Sequence, residues 1–415
     1  MAKRILMIAY HFPPLQGSSG LHRTLTFSRH LLEDHGWEPT VLTVHPRAYP
    51  RTSGDMLADV APGVEVIRAF GLDTSRHLSI LGRYPLFLAL PDTWATWWIG
   101  GTRAGMRHIR RARPDVIWAT FPIATAVKIG LSLHRRSGIP LVVDFRDSMT
   151  EDHYPQPRRK WKSYRAIEGA AVRSAALSVF TTPGARAMYR ERYPDVAPER
   201  WAVIANGYDE TPFADAEAQA SAPRAQGPRT LVHAGLLSRS ERDPRPFFAA
   251  LGRLKAEGRV SARDLRVVLR ASGDEEYHRE WIGRHDVADL VSLEDPLPYR
   301  EALAEMLGAD GLLLFQASNC NHQIPAKAYE YLRARRPILA LTDPAGDTAA
   351  LLRDAGAGTI VRLDSEEDIA AGLRGFLEEL NAGTVRIATP DEVDRHSRRA
   401  RAAELARRLE ATQGA

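Results

Sequence analysis

Cysteine is all but missing: Cys320 is the only one in 415 residues. A single thiol excludes a disulfide framework and any zinc site built on cysteine pairs, and it suits a reducing compartment. No apolar run reaches the ~18–20 residues that a membrane-spanning helix needs. The opening MAKRILMIAYHF has a basic pair and a short apolar run but no small-residue cleavage site, so it reads as a buried first strand and not as a secretion signal. A cytoplasmic protein is the expectation. Also absent are a Gly-x-Gly-x-x-Gly fingerprint, a Walker lysine, an Asp-x-Asp pair and any His/Asp cluster. No cofactor and no essential metal are therefore expected.

What remains is ordinary globular material, 44% apolar, 26% charged and 8% aromatic, which excludes disorder, collagen and coiled coil. Single cores stop growing near ~250–300 residues, so a chain of 415 implies two domains. The net charge of +5 is unevenly spread: residues 1–210 hold 28 Lys+Arg against 19 Asp+Glu, and residues 211–415 hold 28 against 32. A basic first half suits an anionic partner such as nucleic acid, acidic lipid or a phosphorylated substrate, and solvated arginine explains it equally well. No recognised nucleic-acid module accompanies the charge, so nucleic acid is not an expected partner.

Apolar runs alternate with helical periodicity. RILMIAY (4–10), PTVLTV (39–44), VEVIRAF (64–70), DVIWAT (115–120), PLVVDF (140–145), LSVFTT (177–182) and WAVIAN (201–206) read as strands, with helices between several of them. Continuous apolar strands separated by helices predict an α/β class with a parallel sheet covered on both faces. TPFADAEAQASAPRAQGPR (211–229) has no sustained period and reads as a linker. The alternation restarts with TLVHAG (230–235) and continues through LRVVLRAS, GLLLFQ, PILALT and TIVRL, followed by a charged tail helix over 391–411 with Val393, Leu405 and Leu409 on one side. The expected layout is a domain over 1–210, the linker 211–229, a second domain over 230–390 and a C-terminal helix, 391–415, returning to the first domain. Two Rossmann-like, doubly wound halves are expected to take a ligand across a cleft, at the carboxyl ends of their strands.

Three loops carry the candidate chemistry. Gly17, Ser18, Ser19 and Gly20 precede the first helix, where free N–H groups and hydroxyls suit an anion; a tight turn needing glycine explains the same residues. HAGLLSRSERDP occupies the corresponding place in the second half, and its Arg239 and Arg242 match phosphate oxygens in geometry, although such a loop is also ordinary solvated surface. In NCNHQIPAKAYEYLRARRPILALT, Lys327 and Glu330 share one helical face. The carboxylate suits vicinal ribose hydroxyls and the lysine a diphosphate, whereas a surface ion pair is the plain alternative. Trp94, Trp97 and Trp98, near a run of arginines from Arg103 to Arg113, fit either a packed helix or peripheral contact with an anionic membrane. Core packing is the preferred reading of the two.

Across nearly its whole length the sequence resembles the GT-B glycosyltransferases of the family 4 type. The resemblance rests on ILMIAYHFPPLQGSSGLHRTLTFSRHLLEDHGWEPTVLT, VVDFRDSM, FTTPGARAMYRERYP, VIANGYD, the HAGLLS loop and PAKAYEYLRARRPILAL. It implies retaining transfer of a sugar from a nucleotide-sugar donor to a glycan or lipid-linked acceptor, in surface polysaccharide biosynthesis. It further implies that Glu330 binds the donor ribose, that Gly17 lies near the donor phosphates and that Arg242 is a phosphate-binding base. The sequence departs from the family pattern at His322, which stands where a first glutamate is expected, and at Leu236, which follows Gly235 in place of arginine. Asp144, Arg146 and Asp147 end a first-domain strand, where acceptor binding or an internal ion pair both fit. His322, Lys327 and Asp147 are the candidate catalytic side chains, and His11 and His153 are further acid–base candidates. A sugar-nucleotide epimerase and a non-catalytic nucleotide-sugar binder stay open as rivals.

Overall fold

The computed structural model describes residues 3–16, 20–54, 56–218 and 227–412. The chain forms two compact units: residues 1–206 with 398–415, and residues 207–397. Unit 1 has the strands β1 (Lys3–Ile8), β2 (Trp37–Val44), β3 (Glu65–Ala69), β4 (Val116–Thr120), β5 (Leu141–Phe145), β6 (Leu177–Phe180) and β7 (Trp201–Val203). They form one sheet in the order β3-β2-β1-β4-β5-β6-β7, and every neighbouring pair is parallel. β4 and β5 are buried at every position, as strands between two helical layers must be. Phe27, Trp37, Trp118, Phe145 and Phe180 fill the core on either side.

Unit 2 repeats the plan with β8 (Arg229–Ala234), β9 (Leu265–Arg270), β10 (Val291–Glu294), β11 (Gly311–Gln316), β12 (Ile338–Thr342) and β13 (Thr359–Val361). Their order is β10-β9-β8-β11-β12-β13, again parallel throughout. In each unit the strand order reverses beside the first strand, between β1 and β4 and between β8 and β11. Loops leaving two such strands diverge above the sheet and open a crevice at their carboxyl ends.

The two-domain expectation meets two local differences. The first part of the expected linker, Glu210–Glu217, is a helix of unit 2. Asp209 caps it through the Thr211 amide at 3.3 Å, and Phe213 and Ala216 are buried. Arg333 holds both its ends, pairing with Glu210 and with Glu217 at 2.8 Å. Only two apolar side chains anchor it, too few to mark a period in sequence. The tail, expected as one helix, is two: Pro390–Arg395 in unit 2, with Val393 buried, and Arg398–Ala411 in unit 1, with Leu405 and Leu409 buried. The second packs on the helix Gly20–His35 and pairs Arg399 with Asp34 at 2.7 Å and Glu410 with Lys3 at 2.5 Å. The chain thus passes between the units twice, and in unit 2 the two passages lie together, Tyr208 bridging to Ser397 in parallel, with its amide on the His396 carbonyl at 3.3 Å.

Of the three neighbouring tryptophans, Trp97 belongs to the core, and Trp94 and Trp98 are half-buried against it. Trp97 is fully buried. Trp94 packs on Tyr10 with ring centroids 4.3 Å apart and the planes tilted by 42°, and donates to the Ala48 carbonyl. Trp98 donates to Ser132 Oγ at 2.8 Å beneath the Lys128 ammonium. Among the described residues no helix is long and apolar enough to cross a membrane.

Candidate active site

In unit 2 the crevice between β8 and β11 is bounded by the loop after each strand. The two loops are stapled together: the Ala317 amide donates to the Glu241 carbonyl at 2.7 Å, and Asn319 Nδ2 donates to the Ser240 carbonyl at 2.9 Å. The second loop runs into the helix Lys327–Ala334, whose N-cap, Ala326, offers no side-chain acceptor. The Ala328 and Tyr329 amides turn back onto the Pro325 and Ala326 carbonyls, at 2.9 and 3.2 Å, so the helix start offers its positive dipole end and not a row of free amides.

Lys327, the first residue of this helix, meets His233 on β8. His233 is fully buried. Its Nδ1 lies 2.9 Å from the Leu313 carbonyl, which only accepts, so Nδ1 carries the proton and Nε2 is left as an acceptor. Lys327 Nζ donates to that Nε2 at 3.1 Å. Burial, then the Lys327 charge, hold the imidazole well below its ordinary pKa, so it stays neutral and keeps this role. Burial and the nearby Arg242 guanidinium pull the Lys327 ammonium down to about 7, against the opposing pull of Glu330. An anion bound beside it would favour the ammonium and bring the proton back.

Arg242 completes the basic group. Its Nη1 approaches Glu241 at only 3.6 Å, and its Nε is buried with no hydrogen-bond partner. Buried guanidinium donors are rarely left unmatched, so an acceptor is missing here. Glu330, one turn along from Lys327, accepts from Tyr299 Oη at 2.8 Å. Gly235 brings β8 close beneath the lysine: its φ is +104°, and a Cβ there would stand 3.1 Å from Lys327 Nζ. Gly235→Ala is expected to cost about 1–2 kcal/mol of unit 2 stability, read by chemical denaturation.

Arg239 does not join this group. It pairs with Asp274 at 2.7 Å and lies 3.9 Å over the Tyr277 ring, in an exposed position; the acid four residues past β9 draws it off. His322 lies in the second loop beside Gln323, with 3.5 Å between His322 Nε2 and Gln323 Nε2. Gly17, Ser18 and Ser19 lie outside the described residues, while Gly20 begins the first helix and its carbonyl accepts from Arg146 Nη1 at 2.9 Å.

In unit 1 the carboxyl ends of β1, β4 and β5 hold a second polar group. Asp144 is fully buried and receives a two-pronged bond from Arg23, Nε–Oδ2 at 3.0 Å and Nη2–Oδ1 at 2.8 Å. Thr120 Oγ1 adds a third donor at 2.9 Å. Arg23 spends its remaining donors on the carbonyls of Ile204 and Ala205, at 2.9 and 3.0 Å, and on Asn206 Oδ1 at 3.5 Å. Asp144 is thus half of an internal ion pair, with Arg23 and not with Arg146 as its partner. Arg146 has a buried Nε without a hydrogen-bond partner. Beside it, burial and the Arg146 charge lower His11 to about 4, so that ring is neutral near pH 7. Asp147 is exposed and hydrogen-bonds to no described residue.

The family model described as "Glycosyl transferase 4-like domain" matches residues 19–207. Solved structures similar to the chain include sucrose-phosphate synthase from Thermosynechococcus elongatus, at 14% identity, TM-score 0.66 and 99% coverage of both chains. Anabaena HepE, solved with UDP and glucose, is 15% identical with a TM-score of 0.64, covering 99% of this chain and 100% of its own. The chain is a GT-B glycosyltransferase-fold protein. An α,α-trehalose-phosphate synthase (UDP-forming) from Burkholderia vietnamiensis shares the GT-B fold at 13% identity, TM-score 0.64 and full coverage of both chains. No curated protein matches the chain in sequence.

Two members of these GT-B polar groups escaped sequence reasoning. Arg23 sits mid-helix and reads as one more charge on a helix face. His233 interrupts the apolar run LVHA by one residue, and that interruption was the only signal it gave.

Proposed function

We propose that the chain is a retaining glycosyltransferase that takes a sugar from a nucleotide-sugar donor and passes it to a glycan or lipid-linked acceptor, in surface polysaccharide biosynthesis. The observation that carries this reading is the basic group at the crevice of unit 2, with one buried donor left over. Lys327 begins a helix without a side-chain cap and lies near enough to the Arg242 guanidinium, with its orphaned Nε, to feel its charge, in a fold shared with proteins that include one solved with UDP and glucose. A leaving diphosphate gains charge as the glycosidic bond breaks, and positive groups fixed in advance stabilise that charge without reorganising. Glu330, on the same helix, is the partner for the ribose hydroxyls. These groups supply the neutralisation, so no metal is assigned an essential role, and EDTA is expected to leave turnover unchanged. The retaining course rests on the likeness to family 4 and is read from the anomeric configuration of the product by NMR.

Calorimetric titration of UDP, GDP, ADP and TDP tests the donor site directly. One nucleotide should bind the wild type, and Glu330→Ala should weaken it by about tenfold or more through lost charge-assisted hydrogen bonds. Failure of a folded wild-type protein to bind any of the four would overturn the donor assignment.

A further inference from the structure

Between β3 and the helix Trp97–Arg111 the chain of unit 1 makes an excursion tied firmly at its base. The Leu72 amide donates to Thr96 Oγ1 at 2.8 Å, the Thr74 amide to the Thr93 carbonyl at 2.8 Å, and Thr74 Oγ1 to the Leu88 carbonyl at 2.8 Å. At Gly100 a Cβ would fall 2.1 Å from the Phe70 carbonyl, so the start of the excursion lies against the start of that helix.

This well-anchored segment shows an apolar surface to water. Phe70 (58%), Ile80 (79%), Leu81 (96%), Phe87 (71%) and Ile99 (51%) are five of the ten large apolar or tyrosine side chains exposed among the described residues, gathered within thirty positions. Scattered exposed apolar residues are normal, but such a concentration marks a contact surface. Leu81 is held there at some expense. Ile80 and Arg83 exchange backbone bonds of 2.8 and 3.0 Å, and the two residues between them, Leu81 and Gly82, have φ of 50° and 74°. Asn or Asp suits the first of these turn positions, while leucine is strained there. The fold gains no burial from that strain.

A basic stripe begins at Ile99, the last of these apolar residues. From Ile99 the spacing of four, four and three brings Arg103, Arg107 and Arg110 onto the same outer face of the helix, opposite the buried Trp97, Gly101, Thr102, Gly105 and His108. The helix has no acidic residue, and none of these three arginines, nor Arg83 at the turn, forms an ion pair with a described residue.

We infer that this face of unit 1 docks on an anionic lipid bilayer, with the Leu81 turn and Phe87 entering the headgroup boundary and the arginine stripe lying on lipid phosphates. Charge complementarity combined with protruding apolar tips selects this occupant. A nucleic acid would use the arginines and leave Ile80, Leu81 and Phe87 in water. The surface differs from the one suggested by the tryptophans, which pack on or in the core, and it does not depend on the donor site.

Flotation of the full chain with vesicles tests the inference. Wild type should bind phosphatidylglycerol-containing vesicles far better than pure phosphatidylcholine vesicles, and added salt should weaken the binding. The triple change Arg103→Gln, Arg107→Gln, Arg110→Gln should lower binding by about a hundredfold, at about fivefold for each arginine. The double change Leu81→Ser, Phe87→Ser should also release the protein from these vesicles, with circular dichroism unchanged since both side chains are exposed. A Leu81→Trp reporter should shift its emission to the blue on vesicle addition. No binding by folded wild type would overturn the docking surface. So would equal vesicle binding by wild type and variants, or capture of an RNA oligonucleotide that depends on the arginines but not on Leu81 and Phe87.

Discussion

Asp144→Ala should destabilise unit 1 by about 3–5 kcal/mol, because it strands a buried guanidinium whose partner has gone. Asp144 is wholly enclosed and accepts from Arg23 twice and from Thr120 once. Arg23 in turn ties the helix Gly20–His35 to the Ile204 and Ala205 carbonyls just beyond β7. Removal of the carboxylate therefore loosens three segments of unit 1 at once. Thermal melting and limited proteolysis should both register the loss. The paired change Arg23→Met, Asp144→Leu should recover much of it, since two apolar side chains no longer need charge compensation. A fully stable Asp144→Ala protein with impaired turnover would instead make this aspartate a substrate-binding group.

Nucleotide affinity should fall as pH rises through about 7, and Lys327→Met should abolish that dependence along with about 1.5–3 kcal/mol of binding. In the free protein the lysine loses its proton near pH 7. A bound diphosphate favours the ammonium, so above that pH each binding event must take up a proton and affinity declines. Below it the lysine is already charged and affinity should level off. Calorimetry in buffers of different ionisation enthalpy reads the proton uptake directly. Lys327→Arg, charged at every accessible pH, should bind without this pH dependence. The same depression makes the unliganded fold more stable as pH climbs from about 7 towards 10.5, because the unfolded chain then holds the extra proton. An affinity unchanged between pH 6 and 9 would remove Lys327 from the anion site.

The sheets were readable because buried parallel strands have little choice of composition: LVVDF, VIWAT, GLLLFQ and ILALT have almost no polar side chain to mislead a reader. Glycine and proline marked the loops at the carboxyl ends, and that placed Arg242, Lys327 and Glu330 together on one unit. Partner choice within those loops was a different matter. Arg239 and Arg242 sit in one short segment and look alike in sequence, yet a single acid at Asp274 captures the first and leaves the second. The His233–Lys327 contact joins residues 94 positions apart, and Arg23–Asp144 joins residues 121 apart. Such pairings follow from strand order, and strand order is not written in local periodicity. The helix over Glu210–Glu217 was missed because ion pairs from Arg333 hold it more than an apolar stripe does.

The double passage between the units turns the molecule into a cassette design. Unit 2 is an insert, entered at residue 207 and left at 397, within a unit 1 whose final helix is sewn back beside its first strand by Lys3 and Glu410. Tyr208 and Ser397 keep the entrance and the exit side by side. A cut at these two neighbouring points would lift out the entire basic crevice and leave both parts of the host in register. The half that carries the proposed donor site is thus a replaceable part, and grafting another GT-B insert between Asn206 and Arg398 becomes a direct way to exchange that site while keeping the rest.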